Sequence, residues 1–295
     1  MASNHSQIIQ YHLHEENLTE LQFEIHSLED YICEHQTKMT KPHSHTYYQI
    51  LWFEKGAGKH YVDFKEYEVV ENTLFFITKN QIHYFDKNPL YNGVVMVFND
   101  VFLADSENYM ESFLRDTIFN NFESDPRFQI SKREVDTFHR ITELMRMEFQ
   151  EKDDFTRKEY LRHLLNLVLI TLQRIGKRNH DVSLPMQHQS HMVLVKFKQL
   201  LEKHYKEKHL VQQYAVMLDI SVKTLSNVTK VLTQRSPLAL INERIVLEAK
   251  RLLSYSGMSI SEIAFDVGFE DPSYFAKFFK RQSGILPNEF RRLHS

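Results

Sequence analysis

Two sets of residues in this 295-residue sequence have types and spacings that could do chemistry. The first is built on histidine: His43 and His45 in "KPHSHTYYQILWFEKGAG" (41–58), and His83 in "NQIHYF" (80–85). Residues two apart on a strand point to the same face. His43 and His45 therefore share a face with Tyr47, Gln49 and Leu51, and His83 and Phe85 can oppose them from a later strand. Three converging imidazoles suit a divalent transition metal. They equally suit hydrogen bonding to a small ligand or within a strand wall. The second set is cationic and amidic: Lys223, Ser226, Asn227 and Lys230 in "SVKTLSNVTK", then Ser273, Ala276, Lys277, Lys280 and Arg281 in "SYFAKFFKR". On helices that turn Leu225, Val228 and Leu232, or Phe275, Phe278 and Phe279, inward, these residues face out. Asn227 suits the N6/N7 edge of adenine, Lys223 suits guanine O6/N7 or a phosphate, and Ser226 is permissive. Lys280 and Arg281, on later turns, suit phosphates.

The elements that must position these residues fall into three regions. Residues about 20–105 read as strands: "YYQILWF", "KHYVDF", "EYEVV", "TLFFIT", "IHYFD" and "GVVMVF" are short aromatic and β-branched runs separated by turn residues. An antiparallel barrel or sandwich is the economical reading. Residues about 106–178 read as helices, with Val135, Phe138, Ile141, Leu144 and Met145 on one face. A second helix aligns Leu161, Leu164, Leu165, Val168 and Leu172. The stretch "GKRNHDVSLPMQHQSH" (176–191) lacks periodicity and reads as a linker, and residues from about 192 onward are helical.

The last region contains a repeat. Ala215, Asp219 and Ile220 recur 49 residues on as Ala264, Gly268 and Phe269. Leu225, Lys230 and Pro237 recur 50 residues on as Phe275, Lys280 and Pro287, with one residue inserted in the turn. Each copy is a short helix, a tight turn, an N-cap (Ser221 or Asp271) and a longer helix, which is a helix-turn-helix. Ser259 and Glu262 form a capping box at the start of the second copy. Between the copies, "PLALINERIVLEAKRLL" (237–253) predicts a rigid connecting helix. About 16 residues span about 24 Å. With the flanking helices added, the two second helices stand about 34 Å apart, one turn of B-DNA.

Composition narrows the classes further. Residues 192–295 carry 16 Lys/Arg against 10 Asp/Glu, a net of +6, while residues 1–191 carry a net of −9. Only the back of the chain suits a polyanion. The single cysteine excludes an internal disulfide framework. "MASNHSQIIQYHLHEENLTE" has no signal-peptide core, and the longest apolar run, "LLNLVLITL", is too short to span a membrane. A cytoplasmic location is expected. No Ser/His/Asp triad, P-loop or dinucleotide-binding glycine pattern is present, and an enzyme is not expected.

The motifs of residues 192–295 resemble the DNA-binding domain of AraC-type bacterial transcription regulators: "A-x-x-x-G-F" at 264–269, "SYFAKFFK" at 273–280, "G-x-x-P" at 284–287 and "FR" at 290–291. The resemblance implies two helix-turn-helix units binding double-stranded promoter DNA in adjacent major grooves, with most base contacts from Lys223, Ser226 and Asn227 of the first. That unit departs from the pattern at Thr229, where an aromatic is usual, and at Gln234, where glycine is usual. The histidine segment resembles a cupin barrel. The cupin metal pattern has glutamate where Gln49 stands, so neither a metal nor another cofactor is expected. His43, His45, Tyr47, Gln49, His83 and Phe85 are read instead as a pocket for a small-molecule effector.

The expected fold is α+β: an N-terminal antiparallel cupin-like β-barrel with a helical hairpin, and a C-terminal all-α double helix-turn-helix. Its boundaries are 1–178 for the effector domain (hairpin about 106–178), 179–191 for the linker and 192–295 for the DNA-binding domain. In the family, the 131–175 helices would form a homodimer hairpin with the Leu161–Leu172 stripe as seam; the same stripe could instead pack on the barrel. RNA polymerase is a further partner the family implies. A metal-dependent cupin enzyme with a helical appendage is the alternative reading of the whole chain.

Overall fold

Strands that are apolar on both faces need two covers, and the N-terminal half supplies them. The computed structural model of the chain describes residues 8–14, 20–86, 91–103, 126–151, 155–179 and 188–294. It divides into two units near residue 184. The first contains β1 (Ile9–Tyr11), β2 (Phe23–Ser27), α1 (Leu28–Met39), β3 (His43–His45), β4 (Tyr48–Lys55), β5 (Gly58–Val62), β6 (Lys65–Val69), β7 (Thr73–Ile77), β8 (His83–Phe85) and β9 (Asn92–Phe98). After these come α2 (Asp100–Leu103), β10 (Arg127–Gln129), α3 (Lys132–Gln150) and α4 (Arg157–Asn179). The strands form two five-stranded sheets, in the orders β1-β3-β8-β5-β6 and β10-β7-β4-β9-β2. Among the described residues the sheets share no strand pair, so the expected barrel is an open two-sheet arrangement.

The sheet containing β4 is the middle layer. Leu51 and Phe53 join Phe75, Ile77, Val95 and Val97 in a core shared with Val62 and Phe85 of the other sheet. The alternate residues Ile50, Trp52, Leu74, Val94 and Met96 face α3 and α4. The period-2 geometry of a strand is what splits one apolar run between two cores. Leu161, Leu164, Leu165, Val168 and Leu172 all lie in this second core. The apolar stripe of α4 is therefore spent on the sheet rather than left as a seam. Leu144, expected inward on α3, is exposed. The segment read as continuous strands also holds α1, capped by Ser27 and burying Leu28, Tyr31, Ile32 and Met39. Residues 104–125, the first part of the expected hairpin, lie outside the described residues.

The second unit is all helical: α5 (His188–His204), α6 (Val211–Met217), α7 (Val222–Thr233), α8 (Pro237–Tyr255), α9 (Ile260–Asp266), α10 (Pro272–Ser283) and α11 (Pro287–His294). The connecting helix α8 has 19 residues, about 28 Å at 1.5 Å per residue. Ser236 caps it and Pro237 starts it. The turn after α9 needs glycine for a specific reason. Gly268 has φ +86°, yet its counterpart Asp219 holds φ 53° with a full side chain. A Cβ at 268 would sit 1.9 Å from the Lys206 carbonyl oxygen. Close backbone approach, more than the left-handed φ, excludes a side chain. Gly268→Ala is expected to destabilise this unit by about 2–4 kcal/mol, combining overpacking with the φ penalty. Asp219→Ala should cost under about 1 kcal/mol. Thermal melts followed by helical circular dichroism would compare them.

Candidate nucleic-acid interface and buried histidine cluster

The two helix-turn-helix copies make the same backbone hydrogen bonds at the ends of their first helices. Asp219 N–H and Ile220 N–H donate to the carbonyls of Val216 and Ala215; Gly268 and Phe269 do the same to Phe265 and Ala264. The long helices then start on matching caps. Ser221 Oγ accepts from Thr224 N–H at 3.0 Å, and Asp271 accepts from Ser273 N–H at 2.8 Å. They stop on matching left-handed residues, Gln234 (φ 59°) and Gly284 (φ 86°), which satisfy otherwise orphaned helix-end groups. The pattern of buried, half-buried and exposed positions over 221–230 repeats identically over 271–280.

This repeat fixes what each helix presents. Leu225 and Val228 on α7, and Phe275, Phe278 and Phe279 on α10, are buried. Leu232 is half-buried, at the edge of its stripe. Lys223, Asn227, Lys230, Ser273, Lys277, Lys280 and Arg281 are exposed, with Ser226 and Ala276 half-buried beside them. Thr224 and Tyr274, absent from the sequence reading, are exposed at equivalent places on the first turns. Their counterpart positions in the repeat could have revealed them. Thr229 is fully buried in the place of Phe279, its hydroxyl donating to the Ser226 carbonyl.

The cations divide into two populations. Those of the scaffold are engaged: Lys206 with Asp266 at 2.8 Å, Arg251 near Glu248, and Arg291 donating to the carbonyls of Leu253 and Met258. Arg244, buried on α8, makes a two-pronged contact with Glu202 (2.7 and 2.9 Å), a bond to Glu248 (3.0 Å) and a stacking contact 3.8 Å from the Tyr205 ring. Among the described residues Lys223, Lys230, Lys277 and Lys280 have no such partner, and they line the outward faces of α7 and α10. Unpaired cations on two repeated helices are the groups a phosphate backbone neutralises.

In the N-terminal unit, the expected pocket residues come together. His43 pairs with His83 across β3 and β8. Tyr47 stacks on His45 (centroids 4.4 Å), and Phe85 stacks on a fourth histidine, His60 of β5 (4.7 Å). Gln49 lies beside Tyr31 of α1. All are buried. His60 escaped the sequence reading because only the β5–β8 pairing brings it to His83. The imidazoles are chained: His60 Nε2 is 3.0 Å from His83 Nδ1, and His83 Nε2 is 2.6 Å from His45 Nε2. His43 Nδ1 lies 2.8 Å from the Lys41 carbonyl. Burial lowers all four proton affinities, to about 3 for His60 and well below the usual value for His45 and His83. The rings are therefore neutral near pH 7, the form that ligates metals. Ring nitrogens of His43, His45 and His83 lie within 4.8 Å of one another. His43 Nε2, His45 Nδ1, His60 Nδ1 and Gln49 Oε1 are buried without a hydrogen-bond partner among the described residues. The three imidazoles are of a type and proximity that could hold a metal ion, without the carboxylate of the cupin pattern.

Comparison with known proteins bears on both units. Residues 31–89 match the family described as AraC-like ligand binding domain, and residues 214–293 match a helix-turn-helix domain family. The HTH-type transcriptional activator RhaS of Enterobacter sp. (strain 638) is 24% identical over 258 residues, spanning 85% of this chain and 87% of RhaS. The uncharacterized HTH-type transcriptional regulator YisR of Bacillus subtilis (strain 168) is 37% identical over 95 residues, a third of each protein. Among solved structures, ToxT from Vibrio cholerae aligns over 93% of the chain at 15% identity and TM-score 0.39. The DNA-binding domain of AdpA in complex with a target DNA aligns over 34% of the chain, and 90% of its own, at 30% identity and TM-score 0.32. The ligand-binding family is thus matched on the sheets and the helix-turn-helix family on the paired units, the two-part arrangement of an AraC-type DNA-binding transcription regulator.

Proposed function

We propose that the chain is a one-component regulator that binds paired half-sites in promoter DNA and is controlled by a small-molecule effector held in the N-terminal unit. The observation that carries this reading is the coincidence of caps, turns and exposed cations in two copies joined by one helix. No helix among the described residues is long and apolar enough to cross a membrane, which accords with action on cytoplasmic DNA. Lys223, Ser226 and Asn227 read bases from α7, with Thr224 beside them. Lys230, Lys277, Lys280 and Arg281 hold phosphates, and Ser273 and Ala276 approach the second groove.

Genome-wide DNA pull-down with the purified chain, at a stated salt concentration, tests the reading. Recurrent half-sites one helical turn apart support it; sequence-independent binding that modest salt abolishes refutes it. Within such a site, Lys223→Ala with Asn227→Ala should cost about 1–3 kcal/mol per base contact and relax specificity there. Lys280→Ala with Arg281→Ala should weaken all sequences alike and lower the salt slope by about 2. Competition binding against operator variants separates the two outcomes.

We further infer a homodimer, and contact with RNA polymerase from the DNA-bound form. Because the Leu161–Leu172 stripe is buried against the sheet, the seam is assigned to the opposite face of α4. Tyr160, Leu167 and Ile170 are exposed there at steps of seven and three residues, with Leu144 and Met147 exposed on α3. Leu167→Glu is expected to give a monomer by sedimentation while the melting temperature stays within a few degrees, since an exposed side chain changes stability little.

A further inference from the structure

We propose that the first helix-turn-helix copy, from Val216 to Gln234, opens locally in the DNA-free chain independently of the second copy, and that it closes fully only on its own operator sequence. The closing step rests on the regulator reading; the opening does not.

The repeat permits a residue-by-residue comparison of the two copies, and where their cores differ the first is the weaker. Val267, Phe269 and Phe290 of the second copy are buried. Their counterparts in the first, Leu218, Ile220 and Leu240, are half-buried. Phe269 lies 5.5 Å from the ring of Phe275 and 4.9 Å from that of Phe278, and Phe279 lies 5.7 Å from Phe290. In the first copy Leu225 stands for Phe275 and Val228 for Phe278, while Thr229, in the place of Phe279, brings a hydroxyl into the core. Smaller side chains bury less apolar area and forgo the contacts between rings.

Backbone strain falls on the same copy. Asp219 and Gln234 hold left-handed φ of 53° and 59° where the second copy has Gly268 and Gly284. That conformation is costly for a residue with a Cβ and free for glycine. A Cβ at Gly284 would meet nothing within 4 Å, so at this cap the copies differ in strain rather than in packing.

Anchors on either side set the limits of the opening segment. Tyr214 is fully buried, its ring 5.4 Å from Phe197 of α5 and its hydroxyl donating to the Lys208 carbonyl at 2.9 Å. Pro237 and Ile241 are buried at the start of α8. A segment with fewer buried apolar contacts than its surroundings opens at a lower free energy than they do. This segment also carries Lys223, Ser226 and Asn227, the residues assigned to base edges. Of the cations assigned to phosphates it supplies Lys230, whereas α10 supplies Lys277, Lys280 and Arg281. Phosphates are alike on every sequence, so non-specific DNA engages α10 and does little to hold α7 shut. Base contacts form on the operator and require the closed copy, so they deplete the open one.

Hydrogen exchange of the full chain, read by mass spectrometry on peptides from 216–234 and 265–284, tests both steps. In the free chain the protection factors of α7 should be at least about tenfold lower than those of α10. Gln234→Gly, which relieves the strained cap, should raise them about threefold in α7 and leave α10 unchanged. Equal protection of the two copies overturns the opening, as does an α7 that does not respond to Gln234→Gly. At saturation, a duplex of the selected operator should protect α7 at least about tenfold more than a scrambled duplex of equal length, while the two protect α10 alike. Equal protection of α7 by both duplexes overturns the closing step. A chain that selects no operator loses the regulator reading and the closing step with it, and its free-chain exchange still decides the opening. A chain that selects an operator yet exchanges evenly in both copies loses this inference alone.

Discussion

Arg244→Ala is expected to destabilise the C-terminal unit by about 3–5 kcal/mol, because it breaks a buried ion network from its centre. The guanidinium is almost fully buried, while Glu202 and Glu248 are only partly so. Desolvation works against the buried charges, but the carboxylates of Glu202 and Glu248 outweigh it and hold Arg244 firmly protonated. Glu248 is likewise opposed by burial, and Arg244 and Arg251 together keep its carboxyl below the usual range. Truncation leaves Glu248 with Arg251, 3.7 Å away, and the weaker field of Lys206, and strips the Tyr205 ring of its stacking partner. Arg244→Lys should recover little, since one ammonium cannot reproduce a fork that engages both oxygens of Glu202. Helical circular dichroism melts of the full chain would read the loss. An Arg244→Ala transition within 1 kcal/mol of wild type would show the network to be energetically idle. Arg244 lies on α8, the helix that joins the two helix-turn-helix copies.

Acidification should unfold the N-terminal unit well before it affects the paired helix-turn-helix units. His45, His60 and His83 are neutral in the folded chain because burial disfavours their charged forms. A histidine whose folded pKa is depressed leaves stability intact above its unfolded value, near 6.5, and withdraws it as pH falls from there toward the folded pKa. For His60 that window runs down to about 3. At pH 5, about 1.5 units below the unfolded value, His60 alone costs about 2 kcal/mol. His45 and His83 add to this loss in the same direction. Trp52, the sole tryptophan, is buried in this unit and reports it selectively. Its ring lies 4.7 Å from His139, so the denaturant midpoint is the sound readout, not the intensity. In metal-free buffer the midpoint should fall steeply between pH 7.5 and pH 5; a constant midpoint would mean the four rings accept protons in the folded state.

The sequence by itself determined whatever is local. The caps at Ser221, Ser259 and Asp271, the left-handed turn at Gly268 and the 49- and 50-residue recurrences are written within short windows, and the double helix-turn-helix stood legible in them. The six aromatic and β-branched runs between residues 48 and 98 fell where strands are observed for the same reason. Tertiary structure alone decided the rest. Period-2 alternation places His43 and His45 on one face, but only the strand order brings His60 beside His83. Helical periodicity gives α4 an apolar stripe without saying what covers it; the even-numbered residues of β4, themselves apolar, supplied the cover and moved any seam to the Tyr160–Leu167 face. The helix α1, lodged between strands, has the weak apolar pattern of an element held chiefly by the core it meets. A chain encodes its turns and periods residue by residue, but which faces meet depends on contacts between segments far apart in sequence.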